Sequence, residues 1–273
     1  MLSRLVHTER PDELRRGARE GAFVAAKLYP AGATTNADAG VTSLAKLTRV
    51  FETMQDTGLP LLVHGETTDP AGDVFDREAV FIDTLLAPLR RDFPALRIVL
   101  EHVTTREGVQ FVSDAPGPTA ATLTPHHLMI NRNAIFERGI RPHMYCLPVA
   151  KREAHRLALR TAAVSGNPRF FLGTDSAPHL RTLKEHDCGC AGVFNAPTAL
   201  ACYAQVFDEE GRLDRLADFA ARFGPAFYGL PVNTRSLTLE RAAPGEEEDW
   251  ATPLGPVRVF TPPGGLHWRV ATA

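Results

Sequence analysis

Cysteine is scarce in this chain: Cys146, Cys188, Cys190 and Cys202 are the only four in 273 residues. Four thiols in a chain this long do not make a disulfide framework, and a reducing cytoplasm is the simplest expectation. Long apolar runs are also absent. None approaches the roughly 20 residues needed to span a bilayer. Residues 1–19 are mixed and rich in charge, so they do not read as a secretory signal. Neither sign of charge dominates: 30 Lys and Arg stand against 32 Asp and Glu, with no basic or acidic block. That argues against a nucleic-acid track and against a membrane-surface patch. Cys188-Gly189-Cys190 is either a metal-binding pair or a tight loop, and with no second pair to complete a zinc site the loop is preferred.

What is present is alternation. The chain is 44% hydrophobic, enough for the core of one α/β barrel domain spanning 1–273, with an irregular Pro-rich segment over 232–273. Apolar strand-like runs cover 23–29, 61–64, 97–103, 120–124, 145–148 and 170–173. Helical spacing covers 11–21, 42–57, 75–91, 106–112 and 151–165. Strands alternating with helices at this spacing predict βα units on a parallel sheet. A (β/α)8 TIM barrel is preferred over a doubly wound sheet because polar residues sit at the carboxyl end of nearly every strand, where barrels build their sites. Six strand candidates are two short of eight, and the deficit is expected at the amino end.

Four of those strand ends carry candidates for chemistry: Lys27, His64, His102 and Asp175. Each alone has an ordinary explanation. A His at a strand end is more often a hydrogen-bonded residue than a ligand, a Lys after two Ala a rim charge, and an Asp before Ser-Ala-Pro a turn or cap. Together they converge on one mouth. Imidazole and carboxylate are zinc ligands. A buried lysine is costly as an ammonium, and a neutral amine can add carbon dioxide to give a carbamate able to bridge two metals.

The longer motifs are more specific. The stretch from Lys27 through Tyr29-Pro30-Ala31-Gly32-Ala33-Thr34-Thr35-Asn36, then Val63-His64-Gly65-Glu66, Glu101-His102-Val103-Thr104-Thr105, Arg141-Pro142-His143 through Cys146-Leu147-Pro148, Gly173-Thr174-Asp175-Ser176-Ala177-Pro178-His179 and Cys188 to Gly192 follow in one order. This series resembles the dihydroorotases of the homodimeric bacterial type, in the amidohydrolase superfamily, over roughly residues 11–235. The resemblance implies a binuclear zinc enzyme, with two zinc ions per subunit, that reversibly cyclises N-carbamoyl-L-aspartate to dihydroorotate in pyrimidine biosynthesis. It implies a carboxylated Lys27 bridging two zincs, His64 and His102 on the more exposed ion, and Asp175 on the more buried one. It implies a metal-held hydroxide as nucleophile and Asp175 as the general acid–base. His179, Leu147 and Ala191 are expected to contact substrate, and Thr34 and Thr35 to belong to a loop closing over it. His126, His127 and His143 have no such role and are read as structural.

One departure matters. No His-x-His occurs anywhere in the sequence; His7 is the only histidine before Lys27. In the family that motif lies on the first strand with a carboxylate-binding Arg, and an Asn follows later. The expectation is a barrel lacking about its first two strands, amino-terminally truncated, holding fewer zinc ions than its relatives, weakly active or inactive, and poorly soluble. Two other readings stand beside it: a non-catalytic scaffold for a partner such as aspartate transcarbamoylase, and another cyclic amidohydrolase of the hydantoinase or allantoinase type. Retention of Lys27, His64, His102 and Asp175 together argues against a degenerate scaffold, and Ala33-Thr34-Thr35 with the Asp175–His179 stretch favours dihydroorotase over the other hydrolases.

Overall fold

A computed structural model describes residues 3–5, 10–33, 40–187, 189–245 and 248–271. Six strands lie side by side in chain order: β1 (Ser3–Leu5), β2 (Ala25–Leu28), β3 (Leu61–His64), β4 (Ile98–Glu101), β5 (Thr119–Leu123) and β6 (Phe170–Leu172). Every adjacent pair is parallel. Strictly sequential order is the topology of a (β/α) barrel. A doubly wound sheet would reverse its order at a switch point. Among the described residues β1 and β6 do not pair with each other.

Helices fill the connections. They are α1 (Pro11–Arg19), α2 (Thr48–Thr57), α3 (Arg77–Phe81), which runs through a π-turn at Ile82–Leu86 into α4 (Ala87–Asp92), then α5 (Arg106–Asp114), α6 (Pro125–Met129) and α7 (Glu153–Val164). After β6 come α8 (Arg181–Lys184), α9 (Ala199–Glu209) and α10 (Phe223–Tyr228). The punctuation is local. Gly58 takes φ 68° to end α2, a left-handed position that costs glycine nothing. Among the described residues no helix is long and apolar enough to cross a membrane.

Alternation along the strands gives the sheet two buried faces. Ala26, Leu28, Leu61, Val63, Ile98, Leu100, Ala121, Leu123 and Phe170 pack against the helices. Ala25, Leu62, Val99, Ala120 and Phe171 form a separate inner cluster, closed from below by Phe223, Phe227 and Tyr228 around α10. Lys27 and His64 share this inner face, being two residues on from Ala25 and Leu62 respectively. The register sets their heights: Lys27 pairs with Leu62, and His64 with Glu101.

Three expectations are corrected. Tyr145–Pro148 is not a strand. Its carbonyls are taken elsewhere: Tyr145 O accepts from Gly192 N at 3.1 Å, and Pro148 O accepts from His127 Nε2 at 2.9 Å. The sixth strand is instead β1, whose Ser3–Leu5 sequence is too short and mixed to signal one. Nor is 232–273 irregular throughout. There β7 (Leu239–Arg241) pairs antiparallel with β10 (Trp268–Val270), and β8 (Asp249–Thr252) with β9 (Gly255–Arg258). Burial of Val257, Val259 and Phe260, and the bond from Phe260 N to Phe194 O at 2.7 Å, explain why this segment docks.

Candidate metal centre

The carboxyl ends of β2, β3, β4 and β6 bring Lys27, His64, His102 and Asp175 to one mouth. Lys27, His64 and His102 are buried. Nδ1 of His64 lies 3.2 Å from Nε2 of His102. Nε2 of His64 lies 3.0 Å from Glu66 Oε2. Lys27 Nζ donates to Glu101 Oε2 and sits 4.5 Å from the centre of the Tyr29 ring. Asp175 opens to solvent at the mouth but is enclosed by protein on its other sides. That enclosure raises its carboxyl pKa, Lys27 lowers it, and Glu101 raises it again. Burial, then the positive field of Lys27 and the nearby His64 ring, hold the His102 imidazole well below its ordinary range. His102 is therefore neutral near pH 7, the state in which imidazole ligates metal.

Backbone geometry singles out the same positions. His102 takes φ 45° and Asp175 φ 42°, the left-handed region that non-glycine residues rarely adopt. Such conformations persist where the surroundings over-determine them. His102 N donates to Thr122 Oγ1 at 2.8 Å, and Val103 N to Thr122 O at 3.1 Å. Buried Glu78, on α3, accepts from Thr104 N at 2.9 Å, Thr104 Oγ1 at 2.7 Å and Thr105 N at 2.9 Å. That one carboxylate pins the turn after His102. Before Asp175 the chain needs glycine: a Cβ on Gly173 would stand 2.4 Å from Thr122 Cβ.

The segments carrying the expected substrate-contacting residues are tied to one another. His179 Nε2 donates to Ala191 O at 3.0 Å. Ala177 N donates to Val193 O at 3.0 Å. Lys184 Nζ gathers the carbonyls of Tyr145, Cys190 and Gly192 at 2.7–2.8 Å, so the segments carrying Leu147 and Ala191 are tied to one ammonium. Burial pushes its pKa down to about 8. Thr34, Thr35 and Cys188 lie outside the described residues.

A second group deserves comparison. Donor atoms of His126, His127 and Cys146, all buried, lie within 4.8 Å of one another, so their types and spacing suit a metal. Most of their hydrogen bonds are already committed, though His126 Nε2 is buried with no partner among the described residues. His127 uses Nδ1 with Thr124 Oγ1 at 2.7 Å and Nε2 with Pro148 O at 2.9 Å. Cys146 Sγ donates to Pro148 O at 3.3 Å, and burial pushes its thiol up to about 12. His126 Nδ1 accepts from Asn195 Nδ2 at 2.8 Å. Bonds that occupy both nitrogens of His127 and the thiol of Cys146 fit the structural role expected for His126 and His127. His143, outside this group, meets Glu185 at the surface.

Sequence reasoning did not single out Glu66, Glu78, Glu101, Tyr29 or Lys184. Glu66 and Glu101 lie close to the histidines in Val63-His64-Gly65-Glu66 and Glu101-His102, but a carboxylate beside a strand end has no distinguishing spacing. Glu78 lies on a helix where acids are ordinarily solvated.

Sequential parallel strands with these residues at their carboxyl ends define a barrel hydrolase of the metal-dependent class. Residues 4–243 match the Amidohydrolase family. The chain is 61% identical to the dihydroorotase of Ralstonia nicotianae over 232 residues, 85% of this chain and 67% of that one. It is 58% identical to the dihydroorotase of Chelativorans sp. over 261 residues, 95% of this chain and 75% of that one. Among solved structures, Campylobacter jejuni dihydroorotase superposes with a TM-score of 0.88 at 32% identity, covering 100% of this chain and 78% of that one. Saccharomyces cerevisiae dihydroorotase in complex with 5-fluoroorotic acid gives 0.85 at 31%, covering 99% and 80%. An L-hydantoinase from Arthrobacter aurescens, at 19% identity and a TM-score of 0.70, shares the fold alone. The chain belongs to the dihydroorotase branch of the amidohydrolase family.

Proposed function

We propose that this chain interconverts N-carbamoyl-L-aspartate and dihydroorotate, as a cytoplasmic, homodimeric, zinc-dependent cyclic amidohydrolase built as one barrel domain. The observation that carries the reading is the 3.2 Å approach of His64 Nδ1 to His102 Nε2 beside Lys27 and Asp175. Two lone-pair nitrogens at that spacing suit adjacent positions on one ion, and His102 Nδ1 is buried with no partner among the described residues. The donor set therefore fits a metal. His64 and His102 would hold one zinc, Lys27 as its carbamate would bridge to a second, and Asp175 would serve the second. Bound there, zinc supplies Lewis acidity that polarises the ring amide and lowers the pKa of water.

The chain's own residues do the rest. Asp175, its pKa raised by burial, takes a proton from the attacking water and returns it to the departing ring nitrogen. Ala191 and Leu147 offer backbone groups to the ring. His179 receives the substrate carboxylate. Because its Nε2 is committed to Ala191 O, binding requires a proton on Nδ1 or exchange of that bond. Thr34 and Thr35, outside the described residues, would belong to a loop that covers the substrate and excludes water.

The sequence contains no His-x-His pair, so the second position keeps only Asp175 and a share of Lys27. The chain alone is expected to hold fewer than two zincs and to turn over slowly. Assays of the zinc-loaded chain in both directions, with hydantoin and allantoin beside dihydroorotate, test the reading. Slow turnover confined to dihydroorotate and N-carbamoyl-L-aspartate is expected. Preference for another cyclic amide contradicts the substrate, and full-rate turnover with two zincs contradicts the deficit.

A further inference from the structure

Glu66 is fully buried two residues beyond His64. Its Oε2 meets His64 Nε2 at 3.0 Å, while its Oε1 has no partner among the described residues. A carboxylate this deep with half of its accepting capacity unused is costly, so the position calls for a reason in the one bond it makes. A neutral imidazole has a single N–H to place. An acceptor at Nε2 draws the proton there and leaves the lone pair on Nδ1, the atom that faces His102. The chain is shaped for this contact: between the two residues stands Gly65, where a Cβ would come within 2.4 Å of Leu100 Cδ1. The backbone thus passes tightly over Leu100 and returns the carboxylate to the ring it follows.

We infer that Glu66 is the positioning residue of the metal centre, fixing the tautomer and ring orientation of His64 so that Nδ1 is aimed at the ion shared with His102. Carboxylate partners of ligating histidines act in this way and raise the basicity of the ligand. The inference rests on the reading of His64 and His102 as ligands. Glu66 itself need not touch the ion or the substrate.

Two measurements test it. Nitrogen-15 spectra of the metal-free chain report the His64 tautomer without any substitution: a proton on Nε2 is expected, and a proton on Nδ1 overturns the proposal. Cobalt(II) affinity, read by competition with a chromophoric chelator, then compares Glu66→Ala, Glu66→Gln, His64→Ala and the double variant His64→Ala/Glu66→Ala. Glu66→Ala is expected to weaken binding about 10–100-fold. Glu66→Gln, whose amide oxygen still accepts from Nε2, is expected to recover much of the loss. In the His64→Ala background, removal of Glu66 is expected to add nothing. If Glu66→Ala weakens cobalt equally with and without His64, its role is general packing and the proposal fails. If His64→Ala weakens cobalt while Glu66→Ala leaves it unchanged, the proposal fails and the ligand reading survives. If His64→Ala leaves affinity unchanged, the ligand reading fails and takes the proposal with it.

Discussion

His64 Nδ1 and His102 Nε2 stand 3.2 Å apart and buried, at the carboxyl ends of neighbouring strands whose register pairs His64 with Glu101. Without an ion the contact is a hydrogen bond between the two rings. With one, both nitrogens become lone-pair donors. Substituting either by Ala is therefore expected to remove most bound metal, measured as zinc per chain after dialysis. His143→Ala, at the surface contact with Glu185, should retain it. Equal zinc retention in all three variants would contradict the assignment.

Asp175 separates proton transfer from folding. Asp175→Asn keeps the shape but cannot take a proton. Turnover should fall about 10²–10⁴-fold, the range general acid–base groups contribute, while zinc at the His64–His102 position persists. Turnover that survives the substitution would remove Asp175 from the mechanism.

Glu78 holds the turn behind His102 through the amides and hydroxyls of Thr104 and Thr105. Glu78→Ala leaves two buried N–H groups without their acceptor and is expected to cost about 3 kcal/mol in urea unfolding. It should also weaken metal binding, because His102 loses the support of its left-handed backbone. A variant as stable as the unsubstituted chain would show that the turn holds without this carboxylate.

Buried histidines set an acid limit on stability. His127 is pushed down from 6.5 to about 3 by burial, and His126 is lowered well below its ordinary value by the same cause. Between pH 6.5 and 3 the unfolded chain binds a proton at His127 that the folded chain refuses. Stability from this group is complete above pH 6.5 and is lost as pH falls, at ~1.4 kcal/mol per unit. Urea midpoints from pH 7.5 to 4.5 should decline, and His127→Gln should flatten the slope. A slope unchanged by that substitution would place the acid sensitivity elsewhere.

Much of the frame was legible in the residues. The strands at 61–64 and 98–101 are apolar runs that end in His64 and Glu101, and 25–28 is apolar apart from Lys27, because both faces of a barrel sheet are buried. Helices such as α2 announce their ends with Gly58 and Pro60. The ligand candidates were legible because their residue types are unusual at such ends. Ser3–Leu5 was not, since three mixed residues pair only because β2 offers an edge. Tyr145–Pro148 misled because its apolar pattern is strand-like while its carbonyls serve His127, Lys184 and Gly192. Glu66 and Glu78 were invisible as partners: a carboxylate's burial depends on what the fold brings to it, and nothing in its neighbours along the chain reports that.

The central claim is that His64 and His102, with the oxygen ligands of a modified Lys27, hold the metal, and that the His126–His127–Cys146 group does not. Zinc K-edge X-ray absorption of the zinc-loaded chain separates the two directly. A nitrogen and oxygen shell at about 2.0–2.1 Å with imidazole scattering and no sulfur is expected. A sulfur shell at about 2.3 Å would place the ion at Cys146 and contradict it.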